Sequence, residues 1–210
     1  MKKLLLTILT LALIVIGLLS LAWKTATDQK EIDSMSKKIE SYQYLGHLNK
    51  GDRLQTIPQN LVELSPRASY LNTKQKFLAP FNHIVEKMIA DAEKDGVCLI
   101  VMSGYRSPER QQELIRKAIN DEERSLIAMP YESEHQTGLA IDFGGCPMKD
   151  GIRNDDIKRD ELKEPFETLP EYQWLKQNAG RYGFEESFRE DNKDTTGFPA
   201  EPWHWKLIIN

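Results

Sequence analysis

The apolar residues of this chain fall into blocks of different period. From Leu4 to Trp23 runs an uncharged stretch rich in Leu and Ile, preceded by Lys2 and Lys3. It is long enough to cross the ~30 Å hydrocarbon core of a bilayer as a helix. A cleaved signal peptide is the alternative, with Ser20 and Ala22 as the small residues before a cleavage site. The run exceeds the ~15 residues at which signal-peptide cores stop, which favours a retained anchor. Either reading exports the rest of the chain. Lys2 and Lys3 hold the N-terminus inside, although Lys24 weakens that asymmetry.

Past the anchor, Ile32, Met35, Ile39 and Tyr42 recur at helical spacing in a polar background, predicting a short helical stalk. Leu48 to Ser69 contains Gly51, Pro58 and Pro66 and reads as an extended lead-in. The spacing of Phe77, Phe81, Ile84, Val85, Met88, Ile89 and Ala92 predicts a helix over 74–94, stopped by Gly96. Val97 to Met102 is a continuous apolar run, the pattern of a buried strand. Ser107 followed by Pro108 predicts a capped helix presenting Gln111, Leu114, Ile115 and Ala118. Leu139 to Phe143 reads as a second strand, 144–170 as a polar surface excursion, and Pro170 to Tyr182 as a helix ended by Gly183. His204 to Ile209 reads as a last strand. Strands separated irregularly by helices and loops predict α+β rather than doubly wound α/β. The organisation is thus an anchor or signal peptide over 1–23, a stalk over 24–46 and one domain over 47–210.

Composition adds exclusions. The net charge is -4, so no basic excess exists for nucleic acid. The two cysteines, Cys98 and Cys146, are too far apart in sequence to form a CxxC zinc pair. Export permits a disulfide between them. Free buried thiols are the alternative, because spacing alone does not bring two Cα atoms within bonding range.

Three clusters carry candidate chemistry. In Ser133-Glu134-His135-Gln136-Thr137-Gly138-Leu139-Ala140-Ile141-Asp142, an imidazole in a loop is followed by a carboxylate on a strand. Both are zinc ligands, although such a separation also arises often by chance. In Glu201-Pro202-Trp203-His204-Trp205, a carboxylate precedes a histidine by three residues at a strand start. Catalytic zinc takes three protein ligands, an open position for water and a nearby base. His135, Asp142 and His204 supply three ligands and Glu201 a base. The alternative for this cluster is a hydrophobic strand start with its tryptophans in the core. In Ser103-Gly104-Tyr105-Arg106-Ser107, an arginine sits between a buried strand and a capped helix, where its fork of donors can meet a carboxylate or an oxyanion. His47, in the lead-in, and His83, in the first helix, read as solvated or packed surface residues.

Together SGYRS, SEHQTGLAIDF and EPWHW resemble the peptidase M15 family, in particular its VanY-type D-alanyl-D-alanine carboxypeptidases, with the VanX-type dipeptidases as cousins. The resemblance covers about Leu48 to the C-terminus. It implies a small, mostly antiparallel sheet flanked by helices, of the Hedgehog/DD-peptidase kind. It implies one zinc per chain on His135, Asp142 and His204, Glu201 as general base and proton donor, and Arg106 on the scissile carbonyl. Ser133, Gln111 and Trp203 become substrate contacts. The implied substrate is a peptidoglycan stem peptide ending in D-Ala-D-Ala; the N-terminal segment itself places the catalytic domain, expected to be a monomer, outside the membrane or in the medium after cleavage. An L,D-carboxypeptidase, an endopeptidase and a non-catalytic zinc-containing wall-recognition module are the rivals. Pro130-Tyr131-Glu132 departs from the Pro-Gly expected before SEHQTG, and Cys146 matches no family feature.

Overall fold

The computed structural model describes residues 46–69, 73–146, 148–149, 152–153 and 165–209. The expected membrane segment and residues 24–45 of the expected stalk lie outside the described residues. Among the described residues no helix is long and apolar enough to cross a membrane.

Among the described residues three antiparallel sheets form. The short strands β1 (Leu61–Glu63) and β2 (Lys76–Leu78) pair with each other, as do β5 (Met148–Lys149) and β6 (Ile152–Arg153). The central sheet contains β3 (Leu99–Ser103), β4 (Ala140–Gly145), β7 (Phe184–Glu186) and β8 (His204–Leu207), in the order β3-β4-β8-β7. All four residues of β8 are buried, and so are the first five of β4, which is why these segments read as unbroken runs rather than alternating ones. Phe77, Phe143 and Phe184 meet within the core, with ring centroids 6.1 and 6.2 Å apart. Among the described residues there are five α-helices: α1 (Asn82–Lys94), α2 (Pro108–Lys117), α3 (Asp121–Ser125), α4 (Pro170–Asn178) and α5 (Lys193–Thr196). The α+β expectation holds.

α1 packs against β3 and buries Val85, Met88, Ile89 and Ala92, as their spacing predicts. Its start differs from the expectation. Phe77 lies on β2, and Ala79–Phe81 is a 3-10 turn containing Pro80. Proline has no N–H and disfavours helical backbone in the residue before it, so a helix begun at Lys74 could not run through Pro80. α2 forms as expected, with the Ser107 hydroxyl accepting from the Arg110 N–H and Pro108 in the first turn. α4 continues as a 3-10 turn to Tyr182 and ends at Gly183, where φ is 78°.

The β3–β4 register pairs Leu99 with Gly145, Ile100 with Gly144 and Val101 with Phe143. Continued by one residue, it sets Cys98 opposite Cys146. The Cys146 N–H donates to the Cys98 carbonyl at 3.0 Å, the Cα atoms are 5.4 Å apart, and a disulfide joins the two side chains. Cross-strand register therefore decides what spacing left open.

The bridge closes a loop of sequence separation 48. Chain entropy sets its contribution at about 4 kcal/mol as an upper figure, with about 2–4 the usual range. The Cys98→Ser/Cys146→Ser variant should unfold at a lower urea midpoint, with its extrapolated unfolding free energy reduced by that amount. Thiol labelling of unfolded, unreduced wild type should find no reactive cysteine.

Candidate active site

The three sequence clusters converge because their strands are neighbours. β4 lies between β3 and β8, and its Asp142 stands opposite His204 on one side and Ser103 on the other, with a bulge between Val101 and Ser103. His135 sits on a 3-10 turn, Glu134–Thr137, that feeds β4 through Gly138. Gly138 has φ 71°, and a Cβ there would lie 2.9 Å from Leu61 Cδ2. That turn is tied to the loop after β3, where the Arg106 N–H donates to the His135 carbonyl at 3.2 Å. Gly104 in the same loop lies so close to β2 that a Cβ would meet the Lys76 carbonyl oxygen at 2.5 Å. Only glycine lets β2 and this loop approach so closely.

One donor atom each from His135, Asp142 and His204 lies within 4.8 Å of the others. His135 Nε2 is 3.2 Å and His204 Nδ1 3.1 Å from Asp142 Oδ1. Ligands at zinc-bond lengths of about 2.0–2.1 Å in a tetrahedron stand about 3.4 Å apart, so this donor set fits zinc. Each ring's other nitrogen has its own acceptor. His135 Nδ1 is 2.8 Å from the Gly104 carbonyl, and His204 Nε2 is 2.9 Å from Glu134 Oε2. In neutral rings, the form a metal would require, those acceptors take the N–H and leave lone pairs on His135 Nε2 and His204 Nδ1, the two atoms that face Asp142.

The electrostatics follow from burial. Burial pushes the Asp142 carboxyl up, but His135 and His204 together pull it well below the usual carboxylate range. Burial also works against a charged His204, yet hydrogen bonds to Asp142 and Glu134 outweigh it and raise its pKa to about 10. His135 is lowered, chiefly by burial. Glu201 lies with Oε2 3.9 Å from His204 Nδ1, and burial is the main reason its pKa is raised. A tight turn sets this pair, with the His204 N–H donating to the Glu201 carbonyl at 2.9 Å.

These residues line a cleft of about 360 Å³ that also takes in Arg106, Gln111, Ser133 and Trp203. Arg106 is held on three sides: Nη1 donates to Gln111 Oε1 at 3.1 Å, and Nη2 lies 3.0 Å from Ser103 Oγ and 3.5 Å from Asp142 Oδ2. Gln111 is buried and its Nε2 also donates to the Ala128 carbonyl, at 2.7 Å. Trp203 is half-buried in the cleft wall and its carbonyl accepts from the Phe143 N–H, whereas Trp205 is core.

Residues 75–209 match the family model described as VanY, D-alanyl-D-alanine carboxypeptidase. The chain belongs to the VanY family. This VanY-family chain is 31% identical over 217 residues to the putative carboxypeptidase YodJ of Bacillus subtilis, covering 88% of this chain and 74% of that one. Among solved structures it resembles a Zn(II) complex of a mutant of the vancomycin-resistance D,D-pentapeptidase VanY from the VanB-type cassette. There the identity is 26%, the TM-score 0.60, and 79% of this chain and 88% of that one are covered. It also resembles the LD-carboxypeptidase LdcB, at 28% identity and TM-score 0.63, covering 77% and 75%. The chain spans less than half the length of the D-alanyl-D-alanine carboxypeptidases of Enterococcus faecalis and Enterococcus faecium that it matches, 42% and 47% respectively.

Sequence reasoning missed the buried surroundings of the VanY motif. Glu134 is 2% exposed and accepts from Ser187 Oγ at 2.6 Å as well as facing His204. Lys206 is 0% exposed and lies 3.5 Å from Glu134 Oε1. A lysine inside an apolar strand was the available signal, since a buried ammonium requires a partner. His47 is half-buried, in keeping with a packed surface residue, but its partners were not foreseen: Nδ1 lies 3.3 Å from Glu134 Oε1 and Nε2 3.3 Å from Glu185 Oε2. His83 is exposed, as expected. At the departing lip, Tyr131 takes φ 72°, the left-handed backbone that the expected glycine would adopt freely.

The raised pKa of His204 has a consequence in metal-free protein. A group whose folded pKa is raised stabilises fully below its unfolded value, here 6.5, and loses that contribution as pH climbs towards about 10. Chelator-treated protein should therefore melt at progressively lower temperature across that window. Zinc-loaded protein should lack this particular fall, because a ligating imidazole carries no proton on the ligating atom. Thermal melts with and without chelator measure both.

Proposed function

We propose that this chain is a zinc-dependent D,D-carboxypeptidase that removes the terminal D-alanine from peptidoglycan stem peptides ending in D-Ala-D-Ala. The observation that carries the reading is the gathering of His135, Asp142 and His204 with Glu201 and Arg106 in one cleft. His135 Nε2, Asp142 Oδ1 and His204 Nδ1 would hold one zinc ion. When bound there, zinc supplies Lewis acidity, lowering the pKa of water and polarising an amide carbonyl.

The side chains do the rest. Glu201 accepts the proton of the attacking water and hands it to the nitrogen of the departing D-alanine. Burial raises its pKa, which suits a group that must both take and return a proton. Arg106 is positioned by Ser103, Gln111 and Asp142 before substrate arrives, so little reorganisation accompanies charge growing on the carbonyl oxygen. Ser133 lines the cleft two residues before His135 and would hydrogen-bond the peptide backbone, while Trp203 and Gln111 border the same space.

Work outside the cell fits the Cys98–Cys146 disulfide, since such bridges persist in oxidising compartments. It also fits the uncharged run Leu4 to Trp23, proposed as a membrane anchor ahead of a monomeric catalytic domain over 47–210. The similarity to LdcB favours one second reading, an L,D-carboxypeptidase acting on tetrapeptides.

Mass spectrometry of stem pentapeptide and tetrapeptide after incubation with the protein separates these. Loss of one alanine from the pentapeptide alone supports D,D cleavage, and loss from the tetrapeptide alone transfers the reading to L,D. No cleavage by zinc-loaded protein makes it a recognition module. Glu201→Ala should keep its zinc and lose on the order of 100-fold in turnover. His204→Ala should lose most of the metal in elemental analysis. Arg106→Lys should lower kcat more than it changes KM, because lysine keeps the charge but not the planar fork.

A further inference from the structure

Glu134 uses its two oxygens on two different parts of the molecule. Oε2 faces the site, 2.9 Å from His204 Nε2 and 2.6 Å from Ser187 Oγ. Oε1 faces away from it, accepting from the Leu48 N–H at 3.0 Å and lying 3.3 Å from His47 Nδ1. Lys206 Nζ stands 3.5 Å from the same oxygen and donates to the Gly46 carbonyl. Three consecutive residues, Gly46, His47 and Leu48, thus each contact the buried Glu134–Lys206 pair. All three precede the region matched by the family model, which starts at residue 75.

We propose that segment 46–48 is a strap that positions the metal ligand His204, with Glu134 as the transmitting residue. The proposal rests on His204 being a zinc ligand. A carboxylate bonded on one side only can rotate about its terminal torsion, and His204 would then rotate with it. Bonded on both sides, it fixes where the His204 N–H points and so where Nδ1 points. Phe188 confines the same imidazole from its face, with ring centroids 4.9 Å apart. Groups that orient metal-bound histidines typically change metal affinity by 10–100-fold when altered. Glu134 and His47 are positioning residues: among the described residues their contacts run to other side chains and backbone groups of this chain.

The test uses the full chain carrying Glu134→Gln, His47→Ala or both, with zinc affinity read by competition against a chelator and melting temperature read on metal-free protein. Glu134→Gln should weaken zinc binding about 10–100-fold. His47→Ala should weaken it about 3–10-fold, and His47→Asn, whose amide reaches the place of Nδ1, should restore most of that loss. The double variant should match Glu134→Gln alone, because both changes act through one carboxylate. Unchanged zinc affinity in His47→Ala, whether or not its metal-free melting temperature falls, would overturn the strap. So would fully additive losses in the double variant. Failure of the wild type to bind zinc is a different result, and sinks the metal reading itself.

Discussion

A buried carboxylate in the middle of a sheet must be surrounded by donors, and the position of Asp142 fixes where they stand. Its strand is the one flanked by both other motif-bearing segments. Through that placement one charge draws an imidazole from the preceding turn, an imidazole from the neighbouring strand β8 and a guanidinium from the loop after β3. Removing an unpaired charge from water costs far more than any single hydrogen bond returns. The cluster is therefore stable only as a set, and the sheet order that assembles it is also the order that forms the cleft.

How much of this was legible in the sequence depends on the range of the force involved. Local rules worked where local chemistry decides. Ser107-Pro108 capped a helix, Gly183 ended one, and an apolar run became β3. The site clusters were legible because each places its reactive groups within a few residues on one turn or strand. β2 was not: Phe77 continues the periodicity of α1, and only Pro80 gives the break away. β7 was too short to show a period. The disulfide and the partners of Glu134 needed the register of strands far apart in sequence, which no local pattern encodes.

Tyr131 shows a local rule overridden. Its left-handed backbone costs roughly 1–2 kcal/mol relative to glycine. The surroundings hold it there: its N–H donates to Gln136 Oε1 at 2.6 Å, its carbonyl accepts from the Leu54 N–H at 2.7 Å, and the Arg53 guanidinium lies 5.3 Å from its ring centroid. The side chain that glycine lacks thus gives the lead-in segment a second point of attachment beside the cleft.

The Cys98–Cys146 bridge closes the ladder at the far end of β4 from the turn that carries His135, just where the chain departs towards β5. A covalent tie there acts as a bulkhead. A change of length or composition in the stretch between Cys146 and α4 therefore meets a covalent stop before it reaches the β3–β4 ladder. That makes the stretch between the bridge and α4 the place for an engineer to graft a wall-binding loop, with His135 and Asp142 before it and Glu201 and His204 after it left alone.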